Sequence, residues 1–191
     1  MKTVPFTRGF TLIELIVSVG LFSIVMMLVG GAYLVMIGST RQAQAISSGM
    51  DNLSFALETM TRAMRTGGGY VCGGSGTSCV LQTSFQFVNT VGHTITYQRA
   101  TGTSCGTSNG YNGCLQQTDG TTGVTSVLTD PSVNITSLKF SATGMHTYRN
   151  GQDVDQPYVT VIVQGNISQG PTAKAKFFTI ESNAVMRGAD L

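Results

Sequence analysis

Apolar residues run almost unbroken from Phe10 to Ile37, relieved only by Thr11, Glu14, Ser18, Ser23 and small glycines. At about 1.5 Å per residue this stretch makes a helix of about 42 Å, more than a ~30 Å hydrocarbon core requires. It predicts a membrane helix. A secretory signal peptide would carry an apolar region of only about 7 to 15 residues, with its small-residue cleavage site after that region. Here the small residue, Gly9, comes first. Lys2 and Arg8 precede the run, which by the positive-inside rule sets the N-terminus on the cytoplasmic side and the remainder outside.

Beyond Ile37 the pattern becomes amphipathic without an evident stop. Ala43, Ile46, Met50, Leu53, Leu57, Met60 and Met64 recur at alternating steps of three and four, with Gln, Ser, Asp51, Glu58 and Arg62 between them. That is one stripe of a helix. It predicts continuous helix from Phe10 to about Arg65, ended by Gly67-Gly68-Gly69. A stripe this short points to a helix laid on a sheet rather than to a coiled coil.

From Tyr70 the period falls to two. Strands are predicted at Val80–Val88, His93–Arg99, Gly113–Gln117, Val124–Leu128, Val133–Ala142, Tyr158–Gln164 and Ala175–Ser182, separated by Gly-, Asn-, Asp- and Pro-rich turns. Hairpin spacing predicts an antiparallel sheet, and a sheet with one apolar face needs a cover. The amphipathic segment Gly38–Arg65 is the available one. The expected class is therefore α+β, with a leader over 1–9, a membrane helix over 10–37, its amphipathic continuation over 38–66, and a β-rich head over 67–191.

Composition narrows the function. Charged residues make up only 10% of the 191, which does not suit a charge-coated cytosolic enzyme. Of 11 basic residues, Lys2 and Arg8 lie in the leader; its removal leaves 9 against 9 acidic residues, a net charge of 9 − 9 = 0. A neutral chain exerts no general electrostatic pull on nucleic acid.

The four cysteines lie in two short Gly/Ser-rich segments, Cys72 with Cys79 and Cys105 with Cys114. Four cysteines allow three connectivities, and two close pairs in loops favour the local one. Their spacings differ from the usual zinc pattern. Disulfides of this kind place the head outside the cytosol.

Glu14 is the residue in the apolar run that costs most. An ionised carboxylate in a membrane helix costs ~2.5 to 3.5 kcal/mol on insertion scales, so it calls for a partner or for escape to the interface. No Lys, Arg or His lies between Phe10 and Ile37 to serve as that partner. The cation has to come from another chain or from a newly cut terminus.

The segment Gly9-Phe10-Thr11-Leu12-Ile13-Glu14 resembles the prepilin signature of type IV pilins and of the pseudopilins of type II secretion. The basic leader, the helix and the β-rich second half are similar to those proteins over the whole chain. The resemblance implies that a prepilin peptidase cuts between Gly9 and Phe10, that Phe10 becomes N-methylated, and that Glu14 partners the terminal amine of a neighbouring subunit. It also implies a structural, non-enzymatic role without a cofactor, first in the lipid bilayer and then in a periplasmic or cell-surface filament. The partners it implies are other pilin or pseudopilin subunits, the peptidase and an inner-membrane assembly platform. Gly30-Gly31 stands where many major pilins carry a helix-breaking proline. The outer-helix residues and the segment Thr179–Ser182 followed by Arg187 are similar to the minor, PilW-like or J-type branch. Unlike the K-type tip pseudopilin, the chain keeps its glutamate. A tip adhesin or DNA-uptake subunit of such a filament is the alternative function.

Other groups carry weaker chemistry. His93 and His146 stand without a recognisable nucleophile and carboxylate beside them in sequence, and solvent-facing or structural roles are expected. Asp153 and Asp155 are weak calcium ligands, lacking the glycine and distal glutamate of an EF-hand loop. Lys174 and Lys176 suit a solvated strand edge.

Overall fold

The computed structural model describes residues 9–73, 79–106, 112–144, 156–167 and 175–186. One helix, α1 (Leu12–Thr66), spans 55 residues. The chain falls into two compact units, Met1–Gln44 and Ala45–Leu191. In the second unit, the end of α1 joins, among the described residues, nine strands: β1 (Gly68–Cys72), β2 (Cys79–Gln82), β3 (Ser84–Val88), β4 (Thr94–Thr101), β5 (Gly113–Asp119), β6 (Thr125–Val127), β7 (Val133–Thr143), β8 (Tyr158–Ile167) and β9 (Lys176–Val185). Helix and strands therefore build an α+β head.

The strands form two antiparallel sheets rather than the single one expected. One has five strands in the order β1-β3-β4-β5-β6, the other four in the order β2-β7-β8-β9. The division begins inside the predicted strand Val80–Val88, which bends at Thr83 and sends β2 to one sheet and β3 to the other. A register shift between Cys79 and Gln82 marks the break, and Leu81 there has φ 49°, a left-handed conformation uncommon for a non-glycine residue. The strand β1 was not anticipated, because its glycines Gly68 and Gly69 read as the helix stop. His93 lies in the turn before β4, and β8 and β9 each run three residues beyond their predicted ends.

The core is shared by all three layers. Leu53, Met60 and Met64 of α1 have no exposed surface, and Ala56 and Leu57 are buried beside them. They pack in one cluster with Phe85, Phe87, Ile95, Tyr97 and Leu115 of the five-stranded sheet and with Val133, Ile135, Leu138, Phe140, Val159, Val161 and Val163 of the four-stranded one. Of the predicted stripe, Ile46 and Met50 are partly buried against this cluster and Ala43 is exposed. Phe85 stacks on Phe140 across the two sheets with ring centroids 5.5 Å apart, and Tyr70 lies 5.4 Å from Phe85. Such pairs add ~0.5 to 1.5 kcal/mol beyond their area.

Two glycines permit this closeness. A Cβ on Gly49 would sit 2.9 Å from Cδ1 of Ile167, so the helix approaches the four-stranded sheet where it has no side chain. Gly165 in β8 faces the Asn134 carbonyl and the Phe178 ring, and a Cβ there would collide with both. Along β7 the buried set changes phase, from Val133 and Ile135 to Leu138 and Phe140, because a bulge lies between Ile135 and Ser137. The Thr136 hydroxyl donates to the Gln164 carbonyl at 3.1 Å and holds that bulge to β8.

The helix end is fastened by side chains. The Tyr70 hydroxyl donates to the carbonyls of Met64 (2.6 Å) and Gly67 (3.1 Å), which satisfies groups that the last helical turn leaves open. Earlier in the head, Asn52 Oδ1 accepts the Asp130 amide at 2.8 Å and ties α1 to the loop entering β7.

Truncating Phe85 to Ala in the full chain should cost about 3 to 5 kcal/mol in a chemical denaturation of the detergent-solubilised protein. Phe55→Ala, at a position 70% exposed, should change it by no more than about 0.5 kcal/mol.

Candidate functional site

The start of α1 is built from its own residues. Thr11 immediately precedes the helix, and its hydroxyl accepts the Glu14 amide at 3.4 Å while its carbonyl accepts the Leu15 amide at 3.2 Å. Thr11 is therefore the N-cap and Glu14 the third helical residue, the Thr-x-x-Glu spacing of a capping box. The Thr-x-x-Glu spacing ahead of an apolar run is itself the sequence signal for this cap. A carboxylate in the first turn also faces the positive end of the helix dipole, a favourable placement of ~0.3 to 1 kcal/mol at exposed sites. Part of the penalty of Glu14 is thus met locally. Gly9, Phe10 and Glu14 are exposed, Phe10 to 85%, and no residue of the described chain forms an ion pair with Glu14.

The two serines of the run, and Thr40 just beyond it, are satisfied within the helix. Ser18 donates to the Leu15 carbonyl at 2.9 Å, Ser23 to that of Val19 at 2.8 Å, and Thr40 to that of Met36 at 2.9 Å. A hydroxyl turned onto its own helix carries no unmet hydrogen bond into lipid. Gly30 and Gly31 are helical, with nothing within 4 Å of where their Cβ atoms would be. Large apolar side chains from Leu12 to Met36 are exposed throughout. Among the described residues α1 is the one helix long and apolar enough to cross a membrane.

In the head, Cys72 is bonded to Cys79 and Cys105 to Cys114, with Cα atoms 5.4 and 5.6 Å apart. All four cysteines are less than 6% exposed, and the bridges fasten the end of β1 to the start of β2 and the short helical turn after β4 to the start of β5. Among the described residues no group of three metal-ligating side chains comes together. Asp153, Asp155, His146 and Lys174 lie outside the described residues. Lys176 opens β9, the edge strand of its sheet, and is exposed.

The structure brings one titratable pair together that sequence spacing hid. His93 Nδ1 lies 2.8 Å from Asp119 Oδ2, joining the β3–β4 turn to the β5–β6 turn at one end of the five-stranded sheet. The hairpin register, with Ile95 opposite Asp119, brings them together across 26 residues. Asp119 Oδ1 also accepts the amides of Thr121 (2.8 Å) and Thr122 (3.1 Å), and Asn89 Oδ1 accepts those of Val91 (3.0 Å) and His93 (2.9 Å). Each acceptor closes a turn, and among the described residues no Ser or Cys side chain is bonded to the histidine. This arrangement clamps two turns.

The bond from His93, with the turn amides, lowers the Asp119 carboxyl from 3.8 to about 2. Hydrogen bonds from Ser132 lower that of Asp130. Burial pushes the Tyr70 and Tyr97 hydroxyls up to about 12. A depressed carboxyl stabilises the folded state above its unfolded pKa, and that contribution is lost as pH falls through the folded value. Between pH 3.8 and about 2 the head should therefore lose the Asp119 contribution. In acid titrations followed by near-UV circular dichroism, Asp119→Asn should be less stable than the parent above this window, with the difference closing within it.

Residues 6–30 match the family model for the prokaryotic N-terminal methylation motif. No curated protein matches the chain. No solved structure matches it either.

Proposed function

We propose that this chain, which belongs to the type IV pilin and pseudopilin family by its N-terminal methylation motif, is a minor structural subunit of a type IV pilus or a type II secretion pseudopilus. The observation that carries this reading is the motif over residues 6–30 at the head of α1, whose first part exposes apolar side chains and whose last part is core in a β-rich head. The chain is processed between Gly9 and Phe10, stored in the membrane through residues 10–37 with its N-terminus cytoplasmic, and moved into a filament. Other pilin subunits, the prepilin peptidase and an inner-membrane assembly platform are its partners. Disulfide-bonded loops suit an extracytoplasmic head.

Glu14 has two roles in this scheme. In the stored chain it faces the capped first turn; on docking it receives the methylated amine of Phe10 from the neighbouring subunit. An intramembrane carboxylate that gains a cation recovers part of the ~2.5 to 3.5 kcal/mol of its insertion cost. The role is that of a docking acid and not of a catalyst.

Glu14→Ala should leave membrane insertion unchanged and lower recovery in sheared filaments at least about tenfold, equivalent to ~1.4 kcal/mol. Recovery equal to the parent would remove Glu14 from assembly. A substitution of Gly9 that blocks cleavage should abolish incorporation while the chain accumulates in the membrane. Full function of the uncleaved chain would instead mark the helix as a mere tether for the head.

A further inference from the structure

One side of the four-stranded sheet faces away from the core. In β8, Val159, Val161, Val163 and Ile167 are buried, so Thr160, Ile162, Gln164 and Asn166 between them lie on the outer side. The register sets Asn183, Glu181, Thr179 and Phe177 of β9 opposite these four, and Ser141, Lys139 and Ser137 of β7 opposite the first three. All of these positions are half-buried or exposed.

This face is rich in hydrogen-bonding groups and poor in charge. Its middle row holds Lys139 and Glu181, one on each side of Ile162, and their charges cancel. The exposed side of α1 within the head, by contrast, carries Asp51, Glu58, Arg62 and Arg65. The polar side chains of the sheet face are also unspent. Among the described residues, Ser137, Thr160, Gln164, Asn166, Thr179 and Asn183 make no side-chain hydrogen bond to the protein; the bond from Thr136 reaches the main-chain carbonyl of Gln164, not its amide. On the five-stranded sheet such groups satisfy one another: Gln98 donates to Gln116 at 3.2 Å, and the Thr118 and Thr125 hydroxyls are 3.3 Å apart.

Aromatic rings stand at opposite ends of the face. Tyr158 opens β8 and is 39% exposed; Phe177, opposite Asn166 near the far end, is 81% exposed. At the rise of a strand, the two ends are about 27 Å apart. Phe177 also lies on the edge strand β9, where a charged side chain would be the usual guard against unwanted pairing.

We propose that this face is a binding site for a neutral polysaccharide laid along β8 and β9. A sugar ring carries hydroxyls around its rim and C–H groups on its flat sides. Amide and hydroxyl side chains both donate and accept, which matches the rim. Phe177 and Tyr158 offer apolar ring faces against which the C–H sides stack. A nucleic acid or an acidic glycan would need cations in excess, and the charges here sum to zero. A protein partner would need a wider apolar centre than Ile162 provides. The site goes beyond the filament reading and does not depend on it.

The test uses the full-length chain, solubilised in a detergent without a sugar headgroup and mixed with cellulose or chitin particles. The protein should be depleted from solution in a saturable way, equally at low and high salt. Phe177→Ala should weaken this binding about fivefold, the scale of one aromatic contact. The double variant Gln164→Arg with Thr179→Arg sets two bulky cations on exposed positions of the face and should weaken it by about tenfold or more. Near-UV circular dichroism of both variants should match the parent, since surface changes leave the core intact. Phe55→Ala, an exposed aromatic on α1, should bind as the parent does. Absence of depletion by both polysaccharides, binding that salt abolishes, or binding unchanged in both face variants overturns the proposal. So does stronger retention on DNA-cellulose than on plain cellulose, which would mark an anion-binding surface instead.

Discussion

Everything in this protein depends on one helix meeting two different solvents. Over its first residues α1 presents large apolar side chains on all sides, a surface that water rejects and lipid or other helices accept. Over its last residues only a stripe is apolar, and that stripe disappears into the head, with Leu53, Met60 and Met64 fully covered. The backbone need not change its conformation between these environments. The side-chain pattern alone changes, and with it what each part of the helix must be buried against.

The head is shaped by its need to cover that stripe. The core residues of the stripe pack with residues of both sheets, while the opposite face of the helix stays exposed. Phe85 stacks on Phe140 between the two sheets, and Gly49 lets the helix come close to the four-stranded one. Tyr70 then closes the C-terminal turn of α1 from the first strand that follows. Within the head, helix and sheets are thus coupled through direct contacts.

At the other end, the first turn of α1 shows how an acid is tolerated before it has a partner. Thr11 caps the helix and Glu14 occupies the position where the backbone dipole favours negative charge. The capping arrangement lowers the cost of holding the carboxylate there, yet supplies no full cation.

Much of this was legible in the chain. The apolar run, the three-four stripe and the glycine stop determined α1 to within two residues at its start and one at its end, because period and capping are local properties. Alternation marked most strands, and the segment around Gly9 and Glu14 falls within residues 6–30, which match the N-terminal methylation motif. Two things were not local. The break at Thr83, which divides one predicted strand between two sheets, is set by which partners β2 and β3 find; its one local trace is the polar triplet Gln82-Thr83-Ser84, which names no partner. Likewise His93 and Asp119 meet only because the β4–β5 register sets them side by side. Sequence by itself determined α1, most of the strands, the membrane-grade segment and the chemistry of its first turn. Tertiary structure decided β1, the division into two sheets, and the His93–Asp119 clamp, since each depends on contacts between residues that no local period relates.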